Sequence, residues 1–210
     1  MPSIKYIPFL VLLAICSCRN NKTGNKAAAD RGRDPVQKTT AEKDTSDIKP
    51  PSGNYQNPDL VRLIFNKAAQ IDTMKISDSI YLENEDFMEH MTDGGGSVTG
   101  YFAGDRLLKI NQWVGLSYGI IEQDFYFDGE ELIYVSEHEK NFHVDSNGTD
   151  HSRFSDTEFR GDYFFRRNKM VDMVTLGHNR FESDENDPEK EFLETAASLK
   201  KLILRKRKKK

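Results

Sequence analysis

Three of the five histidines in this 210-residue chain lie in one short stretch, at His138, His143 and His151. Carboxylate side chains are interleaved with them, and imidazole together with carboxylate is a donor set that zinc and other divalent cations accept. The spacings of five and eight residues match no standard zinc motif. We therefore expect a polar loop over residues 138–156 and treat the three histidines as a candidate metal site within it.

Five polar residues on two predicted strands form a second candidate site: Glu122, Asp124, Tyr126, Arg160 and Asp162. They alternate with apolar residues, so they face the same side of a sheet. Neighbouring carboxylates can perform acid–base chemistry when one is shielded from water. The more common role of such residues is a solvated face with cross-strand ion pairs. We predict a binding face here and assign no catalytic residue and no cofactor.

One motif typical of enzymes is also present. Residues 115–119 read Gly-Leu-Ser-Tyr-Gly, the pattern of the nucleophile elbow of α/β-hydrolases. An elbow needs a helix after the serine, whereas residues 120–127 alternate like a strand. We therefore interpret the motif as a hairpin turn. The glycine run 94–96 lacks the spacing and the following helix of a dinucleotide loop, and indicates a flexible lead into a strand.

Two short segments read Asp-Thr-Met at 72–74 and Asp-Ser-Ile at 78–80. They resemble the three-residue O-glycosylation sites of Bacteroidota envelope proteins. Both fall in the predicted linker after the first helix, where a glycan would be accessible. Thr73 and Ser79 are therefore candidate modification sites.

The N-terminal residues predict the compartment. Lys5 is followed by an apolar run over residues 7–15, too short for a membrane span, and then by Ile-Cys-Ser-Cys at 15–18. This segment resembles a lipobox, with an aliphatic residue three positions before Cys18 and a small residue next to it. We expect residues 1–17 to be a signal peptide and Cys18 to carry lipid such as palmitate. The residues after Cys18 favour the periplasmic face of the outer membrane, because they resemble neither the inner-membrane retention signal nor the surface-export signal.

Composition divides the rest of the chain into three parts. Residues 18–56 are polar and predict a disordered tether reaching about 35 Å. Residues 57–204 carry a net charge of −14, which argues against nucleic acid as a ligand. Residues 205–210 are all basic and predict a disordered tail, with anionic head groups as an alternative role. Both cysteines precede residue 19, so the predicted domain contains no thiol or disulfide chemistry.

Helix signals stand at both ends of the predicted domain. Asn57-Pro58-Asp59 and Asp187-Pro188-Glu189 each place a capping residue before proline and an acidic residue in the first turn. Apolar residues follow each at helical spacing. We expect an N-terminal and a C-terminal amphipathic helix that together cover one face of a sheet.

Strand signals lie between the helices. Three units repeat an aromatic strand end, a polar turn and an apolar strand start, and Asp128-Gly129 is the clearest turn. Three hairpins predict an antiparallel meander of about six strands in an α+β fold. The predicted strands are 97–103, 107–114, 118–127, 131–140, 157–165 and 170–177.

These hairpin sequences resemble a group of small, uncharacterised lipoproteins of Bacteroidota. The resemblance covers residues 94–176 and depends on residues 95–102, on Asp-Phe-Tyr-Phe-Asp-Gly-Glu-Glu-Leu-Ile-Tyr-Val at 124–135, and on residues 162–165 with 168–171. It implies a fold and an envelope location but no catalytic residue.

The sequence therefore predicts a lipid-anchored envelope protein, a binding or scaffold module rather than an enzyme. Its expected partners are the membrane, through the lipid, and a protein or another envelope component, with no nucleic acid. One alternative is a metal-dependent envelope hydrolase that uses the histidines between 138 and 151. The other is an inhibitor or immunity-type protein whose acidic body fills a basic enzyme cleft.

Overall fold

The computed structural model describes residues 49–177 and 186–210, so the predicted signal peptide, Cys18 and most of the tether lie outside the described residues. None of the helices in these two ranges combines the length with the apolar composition that a membrane span needs. The elements in chain order are α1 (Pro58–Thr73), β1 (Asp78–Glu83), α2 (Asn84–Phe87), β2 (Gly95–Ala103), β3 (Arg106–Gly115), β4 (Gly119–Asp128), β5 (Glu131–Asp145), β6 (Gly148–Phe165), β7 (Met170–Leu176) and α3 (Pro188–Arg207).

The strands form one sheet in which each strand pairs antiparallel with the next in sequence, from β1 to β7. The predicted antiparallel sheet with helices in an α+β arrangement is confirmed, but the prediction of six strands is wrong. The additional strand in the described part of the chain is β1, which we expected to be a linker. Ile80 and Leu82 are buried on one side of it, and Ser79 pairs with Tyr101 of β2.

The prediction of a polar loop over 138–156 is also wrong. β5 and β6 continue past the rest of the sheet as a two-stranded ribbon that turns between Asp145 and Gly148. Phe142 stacks on Phe154 across the ribbon, with ring centroids 5.6 Å apart. A ribbon exposes most of both faces, so its polar composition resembles that of a loop.

The two long helices lie on opposite faces of the sheet, which corrects the prediction that both cover one face. α1 buries Val61, Ile64, Ala68 and Ile71 in the same core as Phe164. α3 contributes Phe192, Ala196, Leu199 and Ile203 to the other core, with Phe102, Ile110, Phe125 and Tyr163. Each fully buried Val, Leu, Ile or Phe side chain in these cores contributes about 1.5–3 kcal/mol. We call the two surfaces the α1 face and the α3 face.

The C-terminal residues are not a disordered tail. α3 continues to Arg207, and its last cations pair with carboxylates of β1 and α2. The Nζ atom of Lys210 lies 2.9 Å from Oδ1 of Asp78, and that of Lys206 lies 2.6 Å from Oδ2 of Asp86. Cations also favour the negative end of a helix, so the basic run extends α3 instead of fraying.

The described domain begins before residue 57, where we predicted the tether to end. The ring of Tyr55 packs edge-on against Phe164 at 5.8 Å. The backbone N–H of Asn57 donates a 2.9 Å hydrogen bond to Oδ2 of Asp172 on β7. The end of the predicted tether is therefore part of the packed structure.

Candidate binding site

The α1 face is only partly covered by α1, and its remaining part is polar. The strand register aligns two cross-strand rows there, and alternation directs both rows to the α1 face. The first row is Asn111, Asp124, Ser136 and Asp162, and the second is Trp113, Glu122, His138 and Arg160. We call these eight residues the polar face. Four of the five residues predicted to share a face lie in it.

The fifth predicted residue, Tyr126, lies beside the polar face. It belongs to the buried core beneath α1 together with Tyr134, and the two rings lie 5.3 Å apart. Its hydroxyl donates a 3.0 Å hydrogen bond to Oδ2 of Asp72 at the end of α1. Burial raises the pKa of Tyr126 well above its ordinary value, so the hydroxyl remains a donor. Tyr126 therefore connects α1 to the polar face.

A buried carboxylate lies at one end of the first row. Asp162 is 1% exposed and accepts a hydrogen bond from the hydroxyl of Tyr134. Its other oxygen lies 3.1 Å from Nε of Arg160. Burial and then the Asp162 charge raise the pKa of Tyr134, which keeps the phenol protonated. Burial is the largest single influence on the Arg160 guanidinium and disfavours its charge, but the charge and hydrogen bond of Asp162 together with Tyr134 outweigh burial and raise the pKa of Arg160.

A lysine is held between two carboxylates at the other end of this row. Nζ of Lys109 lies 3.0 Å from Oδ2 of Asp124 and 3.3 Å from Oδ1 of Asp72, and it donates to the Tyr126 hydroxyl at 2.9 Å. Burial disfavours the ammonium, but Asp124 and Tyr126 outweigh it and raise the pKa of Lys109. Asn111 adds a 2.8 Å hydrogen bond from Nδ2 to Oδ1 of Asp124.

Two cavities open on this surface. The first has a volume of about 350 Å³ and is lined by Ile71, Asp72, Ile76, Tyr101, Lys109, Asn111 and Asp124. The second has a volume of about 170 Å³ and is lined by Asn111, Glu122, Asp124, Ser136 and His138. Asn111 and Asp124 line both cavities, so the two are adjacent. Amide, hydroxyl, imidazole and carboxylate groups are suited to hydrogen bonding with a polar ligand.

The structure does not bring the three candidate metal-binding histidines together. His138 lies in the polar face, whereas His143 pairs with Asp150 in the ribbon, and five strand residues span about 16 Å. The ring of His151 packs edge-on against Phe142 at 4.8 Å. Within residues 49–177 and 186–210, no three or more His, Cys, Asp or Glu side chains form a group that could hold a metal.

The hydrolase-like motif is a hairpin turn, as the alternation predicted. The backbone N–H of Leu116 donates a 2.8 Å hydrogen bond to the carbonyl of Gly119, and β4 rather than a helix follows. Ser117 is exposed in this turn. The glycine run likewise leads into a strand, and Gly95 has a φ of +73° where β2 begins.

The candidate glycosylation residues are both exposed but do not lie in a linker. Thr73 is the last residue of α1, and its hydroxyl donates a 2.7 Å hydrogen bond to the carbonyl of Gln70. Ser79 lies in the edge strand β1. Glycosylation of either remains a prediction.

Sequence reasoning missed Lys109, Asn111, Tyr134 and Ser136 as members or neighbours of the site. Ser136 is detectable in the sequence as a polar strand residue, because it directly follows the apolar run 132–135. The others depend on strand register, which includes an irregularity beside Lys109 in the pairing of β2 with β3. In comparisons with known proteins, no family model, no curated protein and no solved structure matches this chain.

Proposed function

We propose that this chain is a lipid-anchored protein of the bacterial cell envelope whose domain binds a partner on the polar face without catalysing a reaction. The observation that carries this proposal is the polar part of the α1 face, where two adjacent cavities share Asn111 and Asp124. The partner is a protein or another polar component of the envelope.

The pairing of the charges favours binding over catalysis. Asp162 is already engaged by Tyr134 and Arg160, and Lys109 is engaged by two carboxylates. A general base needs an accessible lone pair directed at its substrate. A preorganised set of satisfied charges instead fixes the orientation of a polar partner and limits the entropy lost on binding.

Photo-crosslinking in cells tests the site. Trp113 is replaced by benzoylphenylalanine at the edge of the polar face, and Val144, 68% exposed in the ribbon, receives the same group as a matched control. We expect a discrete adduct from position 113 only, and mass spectrometry identifies the partner. Equal adducts from both positions, or none from 113, would overturn the proposed site. If the crosslinked partner is an envelope enzyme, the protein is an inhibitor or immunity-type protein.

The anchoring is tested separately at the two cysteines. The lipobox resemblance assigns the lipid to Cys18, so Cys18→Ala should abolish lipid attachment and release the protein from the outer-membrane fraction or leave the signal uncleaved. Cys16→Ala is the matched control and should fractionate normally. A Cys18→Ala protein that remains in the outer membrane with unchanged mobility would contradict the anchor.

A further inference from the structure

Some basic residues at the end of α3 are held in ion pairs, and Arg207 is one of them, with Asp78 and Asp105. Lys206 and Lys210 pair with carboxylates of α2 and β1. Lys201, Arg205 and Lys208 are spaced four and three residues apart, which places them on one side of the helix. All three are exposed. No ion pair joins them to another residue in the ranges that the structure describes.

These three cations border a groove of about 670 Å³ between α3 and the turns at the adjacent end of the sheet. Apolar side chains form much of its lining: Phe127, Leu132, Leu193, Ala196, Ala197 and Leu204. Lys200 also lines the groove, but its Nζ lies 2.6 Å from Oε2 of Glu130, so that pair is neutral. The net positive charge of the groove therefore comes from Lys201, Arg205 and Lys208.

We infer that this groove binds the phosphate head groups of anionic lipids at a membrane surface. Charge complementarity favours this occupant, because the cations are concentrated on one side of α3 while residues 57–204 carry a charge of −14. The apolar lining beside the cations matches a head group joined to acyl chains, whereas free phosphate would leave it unused. The groove lies on the α3 face, so this binding is independent of the polar face and of Cys18.

Vesicle co-sedimentation tests the inference on the full chain carrying Cys18→Ser, which cannot be lipidated. The test variant combines Lys201→Gln, Arg205→Gln and Lys208→Gln. The control combines Lys75→Gln, Arg153→Gln and Lys190→Gln, three exposed cations elsewhere with the same total charge change. Each chain is mixed with phosphatidylcholine vesicles with or without phosphatidylglycerol, and circular dichroism verifies the fold.

We expect the parent chain to prefer vesicles that contain phosphatidylglycerol. The test variant should lose roughly 100-fold in this affinity, at about fivefold for each cation removed, and the control should change by less than about threefold. Equal losses in both variants would show a net-charge effect and overturn the groove assignment, as would the absence of any preference for phosphatidylglycerol. Inorganic phosphate is also titrated against the parent chain and followed by NMR, to distinguish a lipid head group from free phosphate. NMR chemical-shift changes at Lys201, Arg205 and Lys208 without any binding to vesicles would overturn the lipid assignment.

Discussion

Tyr134 and Asp162 meet across β5 and β6, where the phenol hydroxyl donates a hydrogen bond to a carboxylate that is 1% exposed. The same phenol ring stacks on Phe164 at 5.2 Å and contacts Phe65 of α1 edge-on at 5.8 Å. The Tyr134 side chain therefore connects the apolar core beneath α1 to Asp162 of the polar face. Packing of α1 fixes the position of the hydrogen-bond donor that Asp162 needs.

Removing this hydroxyl should destabilise the domain. Tyr134→Phe preserves the ring contacts but leaves one oxygen of the buried Asp162 without its donor, which costs about 1–3 kcal/mol. Tyr81→Phe, at a ring that is 52% exposed, is the control and should change the free energy of unfolding by less than about 0.5 kcal/mol. Urea unfolding measures both, and equal losses would show that the Tyr134–Asp162 bond adds no stability.

Of two ion pairs of similar length, the more buried pair should contribute more to stability. Lys109 and Asp124 lie 3.0 Å apart with 19% and 29% of their side chains exposed, whereas Lys67 and Asp128 lie 3.2 Å apart with 39% and 48% exposed. Double-mutant cycles with Lys→Met and Asp→Asn should give about 1 kcal/mol of coupling for the first pair and less than about 0.5 kcal/mol for the second. Salt should weaken the second coupling more.

Sequence patterns predicted the hairpins because turns depend on local chemistry. Gly129 has a φ of +64°, as the Asp-Gly pair required, and Arg167 and Asn168 have positive φ in the predicted turn between β6 and β7. The candidate face over Glu122, Asp124, Arg160 and Asp162 followed from alternation, which strand register preserves.

Local patterns indicate that both faces of the sheet are covered, but not which helix covers which face. Residues 125–127 and 163–165 are uninterrupted aromatic runs, which indicate burial on both faces of a sheet. The apolar stripe of a helix does not specify its counterpart, so the stripes are equally compatible with both helices on one face. The basic run 205–210 likewise carries no local signal of its packing, because Asp78, the partner of Lys210, lies more than 120 residues away in sequence.

The capping residues of α1 and α3 should contribute different amounts to the free energy of unfolding. Asp187 accepts backbone hydrogen bonds from Glu189 and Lys190, whereas Asn57 makes no side-chain capping bond. Asp187→Ala should therefore cost about 1 kcal/mol in unfolding free energy. Asn57→Ala should cost only a few tenths of a kcal/mol, because it removes one exposed 3.4 Å hydrogen bond from Nδ2 to the carbonyl of Val171 while the backbone N–H bond to Asp172 survives. Similar losses at both positions in urea unfolding would contradict this assignment of the caps.

Asp78 should titrate at unusually low pH because of the end of α3. Its hydrogen bond from Lys210 is the largest effect, and it holds the pKa of Asp78 below the ordinary value of 3.8. A lowered carboxyl pKa stabilises the fold above the unfolded pKa, and this contribution is lost as the pH falls through the folded pKa. Lys210→Gln should raise the Asp78 pKa in an NMR titration. The adjacent Lys209→Gln should leave it unchanged, and equal shifts would show only a net-charge effect.

The glycine at the end of the hydrolase-like motif should matter for packing, and the serine should not. A Cβ at position 119 would press against the backbone of β5, including the carbonyl oxygen of Lys140, and would lie 3.0 Å from Cα of Asn141. Gly119→Ala should therefore destabilise the domain by about 1–3 kcal/mol, because neither strand can move without breaking the ladder. Ser117→Ala changes an exposed turn and should leave both stability and crosslinking at position 113 unaltered. Loss of that adduct in Ser117→Ala would give the turn a role that its geometry does not support.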